Sequence, residues 1–555
     1  MSDMVLVCLI NGLNTPSGRL PRLRLNSLKN SIIRKLFFSF YLLQPGHWPN
    51  TSCFWKKKKR GVGSLGCALF FVLVSVAPVT AAIVRQPYLQ LVTPTSITIV
   101  WRTNLESANN SRVQYGTVFG TPNQTATGTA TISLSNPNVK DHIVTITGLS
   151  AATTYFYNVG TTTDGVQGGG TNQHFFVTAP SVGSPTPVRA WVLGDSGDAG
   201  VDQRNVRDAM LTETALNPPA PHLILHMGDI AYESGTDSEF TTNHFAVYQN
   251  ILRHTPLWPT IGNHESPSIN TPLGIGPYYE GHVLPTNGQA GGVASGTEAY
   301  YAFDYANVHF IVLDSMDSSR DQGDPMLTWL QNDLASTGQE WVIAYWHHPP
   351  YSKGGHDSDS AADSGGRMID MRETVLPILE AGGVDLVLSG HSHAYERSYL
   401  LDGAYGFGSS PNFMTPSLNT LLANGHILDA GDGNPSGNGA YQKNSGGISH
   451  NGAVYVVTGH GGHGLSPNAT GDHPVMAVFD FAFGSVLLDI NGSSLTLRNV
   501  RASGAITDSM AIVKTSIGGI ASHDVNSDGK SDLVWRNTNG NTAIWLMNGM
   551  AIAAS

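Results

Sequence analysis

The stretch LVLSGHSHAYERS, Leu386 to Ser398, runs from an apolar segment through a glycine to two histidines, His391 and His393, two residues apart. A short apolar run that stops at a glycine reads as a buried strand. Two imidazoles at its carboxyl end could hold a metal or a substrate group. One pair decides nothing alone, so its meaning rests on whether the chain supplies partners.

The same pattern recurs on both sides. RAWVLGDSGD, HLILHMGDIAY, LWPTIGNHE, VHFIVLDS, EWVIAYWHHPP and AVYVVTGHGGHG are each an apolar run ending in a polar cluster. Stretches of helical periodicity, RNVRDAMLTETAL and PMLTWLQNDLAS, lie between some of them. Buried strands alternating with helices predict a layered α/β or α+β domain over residues 188–514. Ligands of such sheets gather outside the carboxyl ends of the strands, where these clusters stand. The ends offer Asp195 in GDSG, Asp229 and Tyr232 in GDIAY, Asn263 and His264 in GNHE, His347 and His348 in WHHPPY, and His391 and His393 in GHSH. Singly, each has an ordinary reading as a turn, a cap or packing. Five clusters at strand ends of one domain point instead to a shared site.

The residue types suit one chemistry. Two metal ions about 3.5–4 Å apart need a bridging carboxylate with terminal imidazoles and oxygens, and such a pair clamps a phosphoryl group. All three cysteines, Cys8, Cys53 and Cys67, fall near the start of the chain. Past residue 82, disulfides and thiolate sites are therefore excluded. Nitrogen and oxygen donors favour iron, zinc or manganese.

Upstream of this domain, residues 83–180 hold short alternating strands such as SITIVWRTN, HIVTITGL and TTYFYNVGT, which predict a small β-sandwich. SVGSPTP at 181–187 reads as a linker. Residues 515–555 carry Asp524, Asn526, Asp528 and Asp532 in a D-x-N-x-D-G-x-x-D pattern, either an oxygen-rich Ca²⁺ loop or a plain turn. At the other end, residues 1–82 hold Lys56 to Arg60, then the apolar run LGCALFFVLVSVAPVTAA. That order predicts a secretory signal, with an uncleaved membrane anchor as the other reading.

With 555 residues the chain is too long for one compact domain. Charged residues make up 13% and glycines number 62, a composition of neither a coiled coil nor a disordered chain. Residues 1–82 carry 11 of the 30 Lys and Arg but only one of the 41 acidic residues, so the remainder has a net charge of −21. That balance argues against nucleic-acid binding by charge. An anionic substrate would need local positive charge, which metal ions supply.

The five clusters, in this order, resemble the purple acid phosphatase branch of the calcineurin-like metallophosphoesterases. Tyr232, three residues after Asp229, and GHSHAYER carry the resemblance most specifically. Residues 83–180 are similar to the fibronectin type III-like domain of plant-type members, and the C-terminal segment to one FG-GAP/VCBS-like repeat. The resemblance implies a multidomain protein with an all-β sandwich, a four-layer α/β/β/α catalytic domain and a short β segment. It implies Fe³⁺ on Asp195, Asp229, Tyr232 and His393, and Zn²⁺, Mn²⁺ or Fe²⁺ on Asp229, Asn263, His347 and His391, with Asp229 bridging. His264 would hydrogen-bond the phosphate or protonate the leaving group, and His356 in YSKGGHDS would face substrate. His348 falls at a variable position. His460 and His463 read as part of a flexible loop, and residues 402–451 as a substrate entrance or a surface loop.

The implied function is a secreted or periplasmic acid phosphatase that hydrolyses small phosphate monoesters by attack of a metal-bound hydroxide. It would have no nucleic-acid partner and no stable membrane insertion after signal cleavage. A phosphodiesterase or nucleotide hydrolase of the same superfamily is the alternative. A non-catalytic extracellular binding protein is the reading from outside the enzymes.

Overall fold

The computed structural model describes residues 80–405, 415–467 and 469–515, together with the backbone strands Leu533–Arg536, Thr542–Asn548 and Ala551–Ala554. The cysteines, the basic and apolar runs of the leader up to residue 79, and the loop from Asp524 to Asp532 lie outside those residues. The three C-terminal strands pair in order as an antiparallel sheet.

The first domain is built from two antiparallel sheets. One runs Ile83–Gln90, Ser96–Asn104, Val139–Thr147, Thr129–Ile132 in spatial order. The other runs Gln124–Thr127, Ser111–Gly116, Thr154–Thr161, Gly165–Gly169, with Phe175–Val177 also paired to Thr154–Thr161. Val144 and Ile146 are buried while Ile143, Thr145 and Thr147 are exposed, the period-two alternation of a strand with one face on a core. Trp101, Val113, Val144 and Tyr157 meet between the sheets. Arg102 fastens this sandwich to the second domain. Its Nε and Nη2 donate to Asp141 at 2.6 and 2.9 Å, and its Nη1 donates across the boundary to Asp237.

The second domain contains two seven-stranded sheets. In the first, Leu257–Pro259, Leu223–His226 and Val188–Leu193 are parallel neighbours, extended antiparallel by Gly484–Asn491, Ser494–Arg501 and Ile506–Thr515. Tyr441–Asn444, from the glycine-rich 402–451 segment, adds the far edge strand. The second sheet has Val308–Val312, Trp341–Tyr345, Leu386–Ser389 and Val454–Thr458 in parallel, with Tyr301–Tyr305, Tyr395–Ser398 and Met476–Asp480 antiparallel. Every residue of Leu257–Pro259, Leu223–His226, Val188–Leu193, Val308–Val312, Trp341–Tyr345, Leu386–Ser389 and Val454–Thr458 is buried, which is why these strands read as mainly apolar runs. The sheets meet through aromatic residues: Trp258 stacks on Phe303 at 3.9 Å, and the Tyr301 and Tyr345 hydroxyls donate to the Pro259 and Trp258 carbonyls. Carboxyl ends of parallel strands from both sheets therefore converge.

Candidate metal centre

At those strand ends the chain turns sharply. Asp195, Asp229 and His391 adopt φ of 55°, 51° and 67°, left-handed backbone that costs a non-glycine residue energy. The glycine before each polar residue has a steric cause. A Cβ on Gly262 would stand 2.2 Å from Asp229 Oδ1, and one on Gly390 would stand 2.5 Å from Asp195 Oδ2. The GN and GH pairs thus keep the backbone close against carboxylates from other strands.

The structure brings all seven ligand candidates together in two groups. Tyr232 Oη lies 3.3 Å from Asp195 Oδ1, 3.1 Å from Asp229 Oδ2 and 3.4 Å from His393 Nε2. Asn263 Oδ1 lies 2.9 Å from both His347 Nε2 and His391 Nδ1. His347 Nε2 is also 3.3 Å from Asp229 Oδ2. Asp229 Oδ2 is therefore common to both groups. The far nitrogens of two imidazoles are anchored, His347 Nδ1 to the Met227 carbonyl at 2.8 Å and His393 Nδ1 to the Gly464 carbonyl at 2.6 Å. Each anchor consumes the N–H and leaves Nε2 with a lone pair facing inward.

The charges fit bound cations. Asp195 and Asp229 are buried, and among the described residues their only ion-pair partners are His264, His347 and His393. Burial alone would raise the Asp229 carboxyl, but His347 and His264 outweigh it and hold it below the usual range. Burial would lower His347, and Asp229 instead pushes it up to about 9. Burial and the two carboxylates drive the Tyr232 phenol well above its ordinary value. Protonated imidazole is a weak substitute for a divalent or trivalent ion at this position, which would favour the ionised phenol and neutral imidazoles together.

His264 and His356 flank the ligands. His264 Nδ1 donates to the Glu233 carbonyl at 2.7 Å, and its Nε2 lies 4.0 Å from Asp229 Oδ2. The His356 ring stacks on His391 at 3.8 Å, and Asp363 Oδ1 holds its Nδ1 at 2.8 Å. His348 is buried beside His391 with its Nδ1 on Ser315 Oγ.

Other residues of the site escape sequence reasoning. Glu265, fully buried, accepts the backbone N–H groups of Asp229, Ile230, Ala231 and Gly262 at 2.8–3.1 Å, so one carboxylate fastens two ligand-bearing loops. Its place in GNHE was the only available signal. Ser364, at φ 50°, sets its Oγ 2.6 Å from His391 Nε2, and no pattern marked it. The GHGGHG turn departs from the expected flexible loop. His460 is buried and bonded to Asn499 Oδ1, and the His463 ring lies on Tyr232, because this turn packs beneath the strand ends.

Comparison with known proteins bears on the family and the fold. Residues 188–395 match the calcineurin-like phosphoesterase family, and residues 84–178 match the purple acid phosphatase N-terminal domain. Purple acid phosphatase 15 of Arabidopsis thaliana is 30% identical over 285 residues, 46% of this chain and 49% of that protein. A Glycine max purple acid phosphatase is 26% identical over 362 residues, 63% of this chain and 66% of that one. The chain thus spans 49% and 66% of these relatives' lengths. In fold it is similar to purple acid phosphatase PPD1 from yellow lupin (Lupinus luteus) seeds, with a TM-score of 0.58 at 19% identity over 77% of this chain and 74% of that one.

Proposed function

The chain belongs to the purple acid phosphatase branch of the calcineurin-like metallophosphoesterases, and on that premise we propose that it is a secreted binuclear acid phosphatase acting on phosphate monoesters. The observation that carries this reading is Asp229 Oδ2, shared between a phenol–carboxylate–imidazole group and an amide–imidazole group. Asp195, Asp229, Tyr232 and His393 would hold Fe³⁺, and Asp229, Asn263, His347 and His391 would hold Zn²⁺, Mn²⁺ or Fe²⁺. When bound, such a pair clamps a phosphoryl group, neutralises its charge and makes a nucleophilic water available near neutral pH.

The chain's own residues do the rest. Asp229 and Asn263 are held at fixed separation by Glu265, which keeps the two donor groups in register. His264, part-exposed with its Nδ1 engaged, presents Nε2 at the mouth, where it can give a proton to the departing oxygen. His356, oriented by Asp363, offers a second nitrogen to the phosphate. Secretion is supported by the basic and apolar runs before residue 82.

The test is hydrolysis of p-nitrophenyl phosphate against bis(p-nitrophenyl) phosphate by the iron-loaded full chain, with a visible spectrum. The reading expects preference for the monoester and a broad visible band that disappears in Tyr232→Phe. Preference for the diester refutes the monoesterase reading. A colourless but active protein refutes the iron assignment.

A further inference from the structure

The turn Gly459–Gly464 touches three members of the Tyr232 group at once. The His463 N–H donates to the Asp195 carbonyl at 3.0 Å, and the Gly464 carbonyl accepts from His393 Nδ1 at 2.6 Å. The His463 ring lies almost flat on the Tyr232 ring, with centroids 3.6 Å apart and planes 12° from parallel. Its Nδ1 has no hydrogen-bond partner among the described residues, so no directional bond fixes the ring. Two carboxylate oxygens stand just beyond bonding distance, Asp198 Oδ2 at 3.6 Å from Nδ1 and Glu233 Oε1 at 3.8 Å from Nε2. What locates the imidazole is the stack and the turn that carries it. The phenol ring is located by the bonds at its oxygen, by the same stack and by the tilted His264 ring, 4.3 Å away between centroids.

We propose that His463 is a positioning residue for Tyr232: its ring, carried on the turn that also braces Asp195 and His393, aims the phenol oxygen at the metal and sets the electronic energy of that ligand. This rests on the binuclear reading above. A ring pressed flat against a phenolate restricts its swing about χ1 and χ2 and, through the field of its π face, changes the energy of the phenolate's filled π orbitals. Loss of the ring frees the phenol to turn away from the metal and displaces the phenolate-to-iron band.

The experiment uses the full chain loaded with iron, as wild type, His463→Ala and His463→Phe, with thermal unfolding as a folding control. The readouts are the visible maximum and the rate of iron loss to a chelator. His463→Ala is expected to lose iron roughly three- to tenfold faster, the worth of one aromatic pair, with the band displaced. His463→Phe keeps a face to stack and surrenders no hydrogen bond, so it returns both readouts towards wild type. A wild-type band and release rate in His463→Ala, or a His463→Phe that behaves like the alanine variant, overturns the proposal. If the wild type takes up metal but is colourless, the iron–tyrosinate reading falls, and the release rates alone decide on His463. A wild type that takes up no metal overturns both.

Discussion

Replacing Glu265 with glutamine changes one oxygen to NH₂ in a fully buried position. Glu265 Oε1 accepts from Ile230 N–H at 2.8 Å and Ala231 N–H at 3.1 Å, and Oε2 accepts from Asp229 and Gly262 N–H, both at 2.9 Å. Whichever way the amide turns, its NH₂ faces two of these donors. Two buried N–H groups are then unpaired, at about 1–3 kcal/mol each, so the substitution should cost about 2–6 kcal/mol. The strain falls on the loops that carry Asp229 and Asn263. A displacement of about 1 Å in those groups would lower turnover about 100-fold. Urea unfolding of the metal-free chain, metal content per chain and p-nitrophenyl phosphate turnover are the assays, with Glu106→Gln, at an exposed position of the sandwich, as the control. An E265Q protein that keeps the wild-type urea midpoint and metal content would refute the idea that this carboxylate organises the site.

Asp229→Ala removes the oxygen common to both donor groups, and should abolish retention of both metals and nearly all activity; wild-type turnover would sink the two-metal assignment. Arg102→Met strands the buried Asp141 carboxylate, leaves Asp237 with Arg85 and Asn136, and should destabilise the chain by about 3–5 kcal/mol, checked by urea unfolding. His309 lies between Asp304 and Asp333, 2.8 Å from each. Burial alone would lower its pKa, but the two hydrogen-bonded carboxylates outweigh burial and raise it from 6.5 to about 9. A raised folded-state pKa contributes stability that is complete below pH 6.5 and lost as the pH rises to about 9. The stability gap between wild type and His309→Gln should therefore narrow by about 3 kcal/mol across that window. A gap that stays constant from pH 6.5 to 9 would show that His309 is not held protonated.

Much of the architecture was legible because it is written in local patterns. Alternation in HIVTITGL marked a one-faced sandwich strand, and unbroken apolar runs in WVLGD, LILHMGD and LVLSGH marked parallel strands buried on both sides. Glycine-then-polar steps marked the strand ends, since only there can the backbone turn tightly beside a carboxylate. Those ends offered Asp195, Asp229, Tyr232, Asn263, His264, His347, His348, His391 and His393 before any contact was known, and the family resemblance chose seven of them as ligands and sorted them about Asp229. Residue patterns alone do not make that sorting, because it depends on two sheets bringing strand ends from residues 193 to 389 together. Glu265 reads as one more polar residue until four amides are seen to point at it. Ser364 reaches His391 across 27 positions, and His463 reaches Tyr232 across a still longer stretch of chain. Periodicity reports which side of a strand is buried and where it stops. Which groups meet beyond that stop is set by packing between distant elements, and only the assembled tertiary structure carries that information.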